Sequence, residues 1–341
     1  MACAGAHGAH AGVAQDPALS ASYRAPWWLP GGHAQTIYAS LLARCRPVSY
    51  RRTEWTTPDD DIVAVDWVDG PADAPLVVMF HGLEGGSGSH SSRAMMSDVA
   101  ALGWRGAVPH FRGCGGLPNR KPRAYHSGDS AEIDWMLKRF HREAGGRPLF
   151  AIGVSLGGNV LLKWLGEQGG DARAIVRAAA SVCAPVDLRA SGKSLEQGFN
   201  RVYGTYFLTT MRPKALSMLA RFPGLFSAEP VRRARTLRDF DDTVTAPIFG
   251  FADAEDYWGR SSAKPLLGGI RVPTLMINAH NDPFQPGDCL PHASELSPAI
   301  EPEHTATGGH VGYVTGRFPG HVHWLPARII SFFRRHLEKY E

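Results

Sequence analysis

The sequence predicts an α/β fold: a mostly parallel, doubly wound sheet, opened by an antiparallel hairpin and interrupted by a largely helical cap insertion. Two patterns carry this prediction. From Leu76 onward, short apolar runs alternate with segments of helical period. That alternation stops after Asp187 and resumes at Thr274. Strands with no polar face are buried on both sides, as in parallel sheets covered by helices.

Residues 1–22 are rich in Ala, Gly and His and read as a flexible tail, with His7 and His10 belonging to the tail rather than to a metal site. They lack the charged start and continuous apolar stretch of a signal peptide. Order is expected from Trp27-Trp28-Leu29-Pro30. Arg51–Thr56 and Ile62–Val68 flank the turn cluster Pro58-Asp59-Asp60-Asp61 and read as the hairpin. Leu76–Phe80 is a buried strand, Ser92–Leu102 a helix and Gly106–Phe111 a strand. Asp129, followed three residues later by Glu132, reads as a capping box. The helix it opens carries the stripe Ile133, Met136, Leu137 and Phe140. Leu149–Val154 is the next strand, and Leu156–Gln168 a helix stopped by Gly169-Gly170. Arg177–Cys183 is another strand.

Residues 188–268 hold many aromatic and Met side chains in helical or irregular text and read as a cap over the carboxyl edge of the sheet. Strands follow at Thr274–Asn278 and near Glu303–Thr307, then a helix over Leu325–Lys339. The chain thus divides into a tail (1–22), a first core segment (23–187), the cap (188–268) and a second core segment (269–341), with no internal repeat.

Composition narrows the function. With 341 residues, 44% hydrophobic and 20% charged, the chain is globular and can bury a sizeable core. Net charge is +4, and the densest basic clusters, Arg232-Arg233-Ala234-Arg235 and Arg334-Arg335, are too short for a nucleic-acid footprint. Five cysteines (Cys3, Cys45, Cys114, Cys183, Cys289) contain no C-x-x-C pair. The expectation is reduced thiols and a cytoplasmic protein, without a disulfide framework or zinc site. No stretch approaches the roughly 18 apolar residues that a membrane span needs.

The chain's only G-x-S-x-G runs from Gly153 through Ser155 to Gly157. An apolar strand precedes it and a helix follows it, the setting in which a sharp turn exposes a nucleophilic serine. The helix N-terminus behind Ser155 favours developing negative charge. A phosphate loop would want Gly-x-Gly or Gly-Lys-Ser/Thr, and neither stands at this turn. A serine nucleophile needs a base, and the base an acid. In this fold their order is serine, acid, histidine. Asp282 falls just past the strand Thr274–Asn278 and is the expected acid; Asp253 and Asp256 are rivals inside the cap. His310, between a strand and the last helix and flanked by glycines, is the expected base. His304, His321 and His323 are its rivals among 15 histidines. The oxyanion hole needs two backbone donors. Leu156 follows the nucleophile, and Leu83 lies in the Gly-rich loop 81–89 after Leu76–Phe80. His81, Tyr203, Tyr206 and Trp258 are the expected substrate contacts. Arg112, Arg120, Arg123 and His126 occupy a basic loop whose plainer reading is pairing with carboxylates.

Several longer motifs accompany these residues: His81-Gly-Leu-Glu-Gly-Gly-Ser, Phe111-Arg-Gly-Cys-Gly-Gly, Pro118-Asn-Arg, Tyr125-His-Ser-Gly-Asp129, Ser155-Leu-Gly-Gly-Asn159 and Asn281-Asp-Pro-Phe284. Leu29-Pro-Gly-Gly-His33-Ala-Gln-Thr36 precedes them. Together they resemble the YheT-like α/β-hydrolase family, from about Trp27 to the C-terminus. The resemblance implies an α/β-hydrolase fold, a cofactor-free and metal-free carboxylic ester hydrolase (short- or medium-chain carboxylesterase or acylglycerol lipase) and a triad on Ser155, Asp282 and His310. The family's eukaryotic relatives carry an N-terminal membrane anchor that this sequence does not show. Passing the acyl group to an alcohol or thiol is the second reading, with no His-x-x-x-x-Asp pattern to favour it. A non-catalytic binding protein on the same fold is the third. Peripheral membrane contact through Trp27-Trp28 and the cap aromatics competes with their packing into the core, and the oligomeric state stays open.

Overall fold

The computed structural model describes residues 23–337; the tail (1–22) and the end of the last helix at Lys339 lie outside the described residues. Eight strands form one sheet in the order β1-β2-β4-β3-β5-β6-β7-β8. They are β1 (Arg51–Thr56), β2 (Ile62–Val68), β3 (Leu76–Phe80), β4 (Arg105–Pro109), β5 (Leu149–Val154), β6 (Ala178–Val182), β7 (Thr274–Ala279) and β8 (Ile300–Thr305). The β1–β2 and β2–β4 pairings are antiparallel, and all others are parallel. β8 begins three residues before the expected strand.

The helices are α1 (Gly32–Leu41), α2 (His90–Ala101), α3 (Ser130–Ala144), α4 (Leu156–Gln168), α5 (Leu188–Leu195), α6 (Arg201–Arg221), α7 (Ala228–Arg233), α8 (Leu237–Phe240), α9 (Ala246–Phe249), α10 (Ala254–Ser261) and α11 (Trp324–Leu337). Alternation along the strands sorts the core onto two faces. Leu76, Val78 and Phe80 of β3 join a cluster with Ile133, Leu137 and Phe140 of α3 and Val160 and Leu161 of α4. Val77 and Met79 point the other way, into a cluster with Met95, Met96 and Val99 of α2 and Ile329 and Phe333 of α11. Phe150 of β5 stacks on Phe333 with ring centroids 4.5 Å apart, seating α11 against the sheet. This is the doubly wound arrangement that the strand–helix rhythm predicted.

Helices α5 to α10 lie between β6 and β7. They have a small core of their own, built on Leu208, Ala215, Val231, Phe240 and Val244. Asn159, fully buried at the start of α4, ties them to the body. Its amide nitrogen donates to Ser127 O (2.6 Å) and Ser261 O (2.8 Å), and its oxygen accepts from Ala263 N (3.0 Å).

Two local expectations change. Asp129 sits at the N-cap position of α3, but its side chain makes no capping bond. Its carboxylate goes to Arg123 (2.8 Å), and Glu132 goes to Arg112 (2.9 Å), because guanidinium groups outcompete backbone amides for a buried carboxylate. Arg112, 3% exposed, also reaches Asp59 (2.7 Å) and Asp61 (3.1 Å), so it pins the β1–β2 turn to α3. The other change is α1, an unanticipated helix that packs against the loop holding His310.

Candidate active site

The turn from β5 into α4 passes through Ser155 at φ +53°, ψ −120°. A non-glycine residue is rarely left-handed, and such strain persists only where its surroundings hold it. Here the Ser155 N–H donates to Val182 O at 2.8 Å, and α4 begins at the next residue. Gly157 lets that helix start close to β3: a Cβ there would lie 2.5 Å from Phe80 O and 2.6 Å from His81 O. The loop after β3 passes equally near, since a Cβ on Gly82 would meet Ser155 Cβ at 3.1 Å.

His310 Nε2 lies 2.9 Å from Ser155 Oγ. Its Nδ1 lies 2.9 Å from Asp282 Oδ2. Asp282 follows β7 and is buried; its other oxygen accepts the Phe284 N–H at 2.8 Å. The Phe284 ring stacks on the imidazole with centroids 4.0 Å apart, fixing the plane of the base. This serine–histidine–carboxylate chain has the geometry to move a proton from Ser155 Oγ to Nε2 while Asp282 stabilises the imidazolium.

The residues that hold His310 come from α1. Gln35 is fully buried. Its oxygen accepts from Gly308 N (2.9 Å) and Asn281 Nδ2 (3.1 Å), and its nitrogen donates to Leu29 O (2.9 Å). Thr36 Oγ1 accepts the His310 N–H at 2.8 Å. Sequence reasoning read these residues only as part of the motif Leu29–Thr36, which packs the N-terminal segment onto the body, and gave them no place in the site. The signal was two polar side chains inside an otherwise apolar segment.

Leu83 and Leu156 both border the space in front of Ser155. Neither backbone N–H has an acceptor among the described residues, so both remain available to a developing oxyanion. His81 braces their loop. Its Nε2 accepts the Phe111 N–H (3.2 Å), leaving Nδ1–H to donate to Gly82 O (2.7 Å). Burial pushes the His81 pKa down to about 3, which keeps it neutral in that role. Cys183, Asp282 and His310 offer potential ligand atoms within 4.8 Å of one another. Those atoms are engaged in hydrogen bonds, and burial pushes the Cys183 thiol far above its ordinary range.

Residues 75–317 match the family model for the α/β hydrolase fold. The chain belongs to the α/β-hydrolase family. It is 39% identical over 311 residues to YheT of Escherichia coli (strain K12), covering 90% of this chain and 91% of that one. It is 30% identical over 277 residues to a monoacylglycerol lipase of Saccharomyces cerevisiae, covering 78% of this chain and 60% of that one. It is 28% identical over 313 residues to the phospholipase ABHD3 of Mus musculus, covering 89% of this chain and 76% of that one. The resemblance to the YheT-like branch therefore holds along most of the chain, and the protein is a hydrolase.

This α/β-hydrolase has a cavity of about 280 Å³ above Ser155. α5 contributes Leu188, Ser191, Gly192 and Leu195; α6 contributes Phe207, Met211, Lys214 and Met218; Phe240, Ile248, Tyr257 and Trp258 close the far side. Asp241, beside Phe240, also faces it. Trp258 Nε1 (2.9 Å) and Thr245 Oγ1 (2.7 Å) donate to the Asp241 carboxylate, yet burial still raises its pKa to about 7.

Of the four expected substrate contacts, only Trp258 lines this cavity. His81 is buried behind the loop. Tyr203 bonds His33 Nδ1 (3.1 Å) and packs on the back of Phe284 (4.8 Å). Tyr206 is 68% exposed on the outer face of α6. Two different reasons explain the misses on α6: Tyr206 falls off the inward stripe Phe207, Met211, Lys214 and Met218, whereas Tyr203 continues that stripe one turn earlier, where its ring meets His33 and Phe284 instead of the cavity. Among the rivals, Asp253 caps α10 by accepting from Asp256 N (2.8 Å), and Asp256 pairs with Arg260 (3.1 Å). His323 pairs with Asp98 (3.0 Å), His321 meets Thr315 (3.3 Å), and His304 packs against His280 (6.0 Å). His126, from the basic loop, faces the cavity beside Phe249 (4.3 Å). Cys45, Cys114, Cys183 and Cys289 are free thiols. No helix among the described residues is long and apolar enough to cross a membrane.

Proposed function

We propose that this hydrolase cleaves carboxylic esters, as a short- or medium-chain carboxylesterase or an acylglycerol lipase, with Ser155 as nucleophile. The observation that carries the reading is the 2.9 Å approach of His310 Nε2 to Ser155 Oγ, with Asp282 2.9 Å behind the ring.

His310 takes the Ser155 hydroxyl proton as Oγ bonds to the ester carbonyl carbon. The carbonyl oxygen becomes an oxyanion that accepts from the Leu83 and Leu156 amides. As the tetrahedral adduct collapses, the alcohol leaves with the proton from His310. Water, deprotonated by His310, then attacks the acyl-enzyme, and the acid departs as the carbon–Oγ bond breaks and His310 returns the proton to Ser155 Oγ. The helical cap over residues 188–268 supplies the apolar half of the cavity, which suits an uncharged acyl or alkyl group. Yeast monoacylglycerol lipase as a relative agrees with such a substrate.

Hydrolysis of p-nitrophenyl acyl esters of increasing chain length by wild type and Ser155→Ala tests this. Wild type is expected to turn them over and the variant to lose essentially all activity. Equal rates would overturn the assignment. The chain-length optimum separates a short-chain esterase from a lipase.

A further inference from the structure

We propose that Lys214 of the cap is a positioning residue for the oxyanion loop, acting through Glu84; this rests on the reading of Ser155 and Leu83 given above. Glu84 directly follows Leu83, in a turn closed by Gly85 N–H donating to Gly82 O at 3.0 Å. Its backbone is left-handed, φ +55°. A glutamate gains nothing intrinsic there, so something around it must hold the turn. Two groups do. Tyr125 is clamped on Phe111 with ring centroids 5.2 Å apart and planes at 8°. Its hydroxyl oxygen accepts the Glu84 N–H (2.9 Å) and its O–H donates to Glu84 Oε1 (3.0 Å). The other carboxylate oxygen meets Lys214 Nζ at 2.8 Å.

The two sides of that ion pair are unlike. The Glu84 side chain is 9% exposed and the Lys214 side chain 45% exposed. A largely buried carboxylate that loses its counter-ion is driven toward water. That movement releases the turn that sets the direction of the Leu83 amide. The carboxylate also stands one residue from the amide that would meet the oxyanion, and uncompensated negative charge there opposes the charge developing in the transition state. The ammonium of Lys214 cancels it. Lys214 shares its helix face with Phe207, Met211 and Met218, which line the cavity. A substrate that fills the cavity therefore packs against the same helix that holds the loop.

The test is a kinetic and exchange comparison of Lys214→Met, Lys214→Arg and the double variant Glu84→Gln/Lys214→Met. Lys214→Met is expected to lower kcat on a p-nitrophenyl ester by about tenfold or more, toward the cost of losing one oxyanion donor. KM should change much less, and amide hydrogen exchange over residues 82–86 should speed up. Lys214→Arg should keep most of the rate, and the double variant should regain part of it because no buried charge is left. Wild-type kcat together with wild-type exchange in Lys214→Met would overturn the proposal. That result leaves the ester-hydrolase reading intact, which fails separately if wild type and Ser155→Ala behave alike. The exchange measurement decides the role of Lys214 even for an ester that is not turned over.

Discussion

Thr36 holds the backbone of His310: its Oγ1 accepts the His310 N–H at 2.8 Å while its own proton goes to Gly32 O at 2.7 Å. One hydroxyl thereby links α1, far back in the chain, to the imidazole of the candidate triad. Thr36→Val keeps the shape and removes the acceptor. The N–H left unpaired in a buried site costs about 1–3 kcal/mol. The expected result is a fall in kcat of about tenfold or more if that cost is spent on displacing the ring. Thr36→Ser should restore the bond and most of the rate. Ester kinetics beside a thermal unfolding curve separates a displaced base from a misfolded chain.

Asp282 should matter for orientation and charge at once. In Asp282→Asn the amide can no longer hold Nδ1–H against a carboxylate, and the imidazole can present a proton to Ser155 instead of accepting one. A loss in kcat of roughly 10³–10⁴ is expected, on the scale seen in serine proteases. Slower fluorophosphonate labelling of Ser155 by a folded variant is the matching observation. Labelling at the wild-type rate would contradict the role.

Gly157→Ala should be damaging for a steric reason. The new Cβ would stand 2.5 Å from Phe80 O and 2.6 Å from His81 O, both backbone atoms that have no room to move. A destabilisation of about 3 kcal/mol or more is expected, in the upper range for single substitutions. Chemical denaturation measures it, and a variant as stable as wild type would show that α4 is seated more loosely than described.

Removing Arg112, which also borders the cavity, should cost stability. Asp61 is fully buried and Glu132 is 2% exposed, and both depend on this guanidinium. Arg112→Met strands these charges, for which about 3–5 kcal/mol is typical. The unfolding midpoint should drop accordingly, and Arg112→Lys should recover only part of it, because one ammonium cannot reproduce a fork that meets three carboxylates.

Asp241 gives a pH prediction whose sign is set by burial. Its ordinary carboxyl pKa of 3.8 is raised to about 7 in the folded protein. The native state therefore holds a proton that the unfolded chain releases, and this contribution favours folding fully below pH 3.8. It is lost as pH rises through about 7. Asp241→Asn lacks the titration. The stability of wild type relative to Asp241→Asn should fall between pH 4 and 8, as read by denaturant midpoints across that range. The difference between the two proteins isolates Asp241 from other titrating groups. A pH-independent difference would show that the carboxyl is ionised throughout.

Much of the architecture was legible locally. Apolar runs such as Leu76–Phe80 and Leu149–Val154 became β3 and β5 because a strand buried on both faces tolerates no polar alternation. Ser155, Asp282 and His310 could be named together because a nucleophile turn and its expected partners follow strand ends in a set chain order, and the structure joins the three side chains through successive 2.9 Å contacts. The misses have different causes. Asp129 looked like a helix cap until Arg123, in the loop just before it, took its carboxylate, and Tyr206 looked like a cavity residue until its position around α6 turned it outward. The first depends on how a loop folds back and the second on the phase of a helix.

By itself, then, the sequence determined the mostly parallel sheet with its antiparallel start and most of the helices that cover it, and it named three residues whose side chains the structure brings together. Those properties follow from periodicity and short-range spacing. Only the tertiary structure decided that Gln35 and Thr36 hold the loop of His310, that Phe284 backs its ring, and that Lys214 of the cap reaches Glu84 beside Leu83. Each of these is a contact between segments far apart in the chain. Hydrogen bonds and ion pairs of that kind depend on where side chains meet in space, which no local pattern encodes.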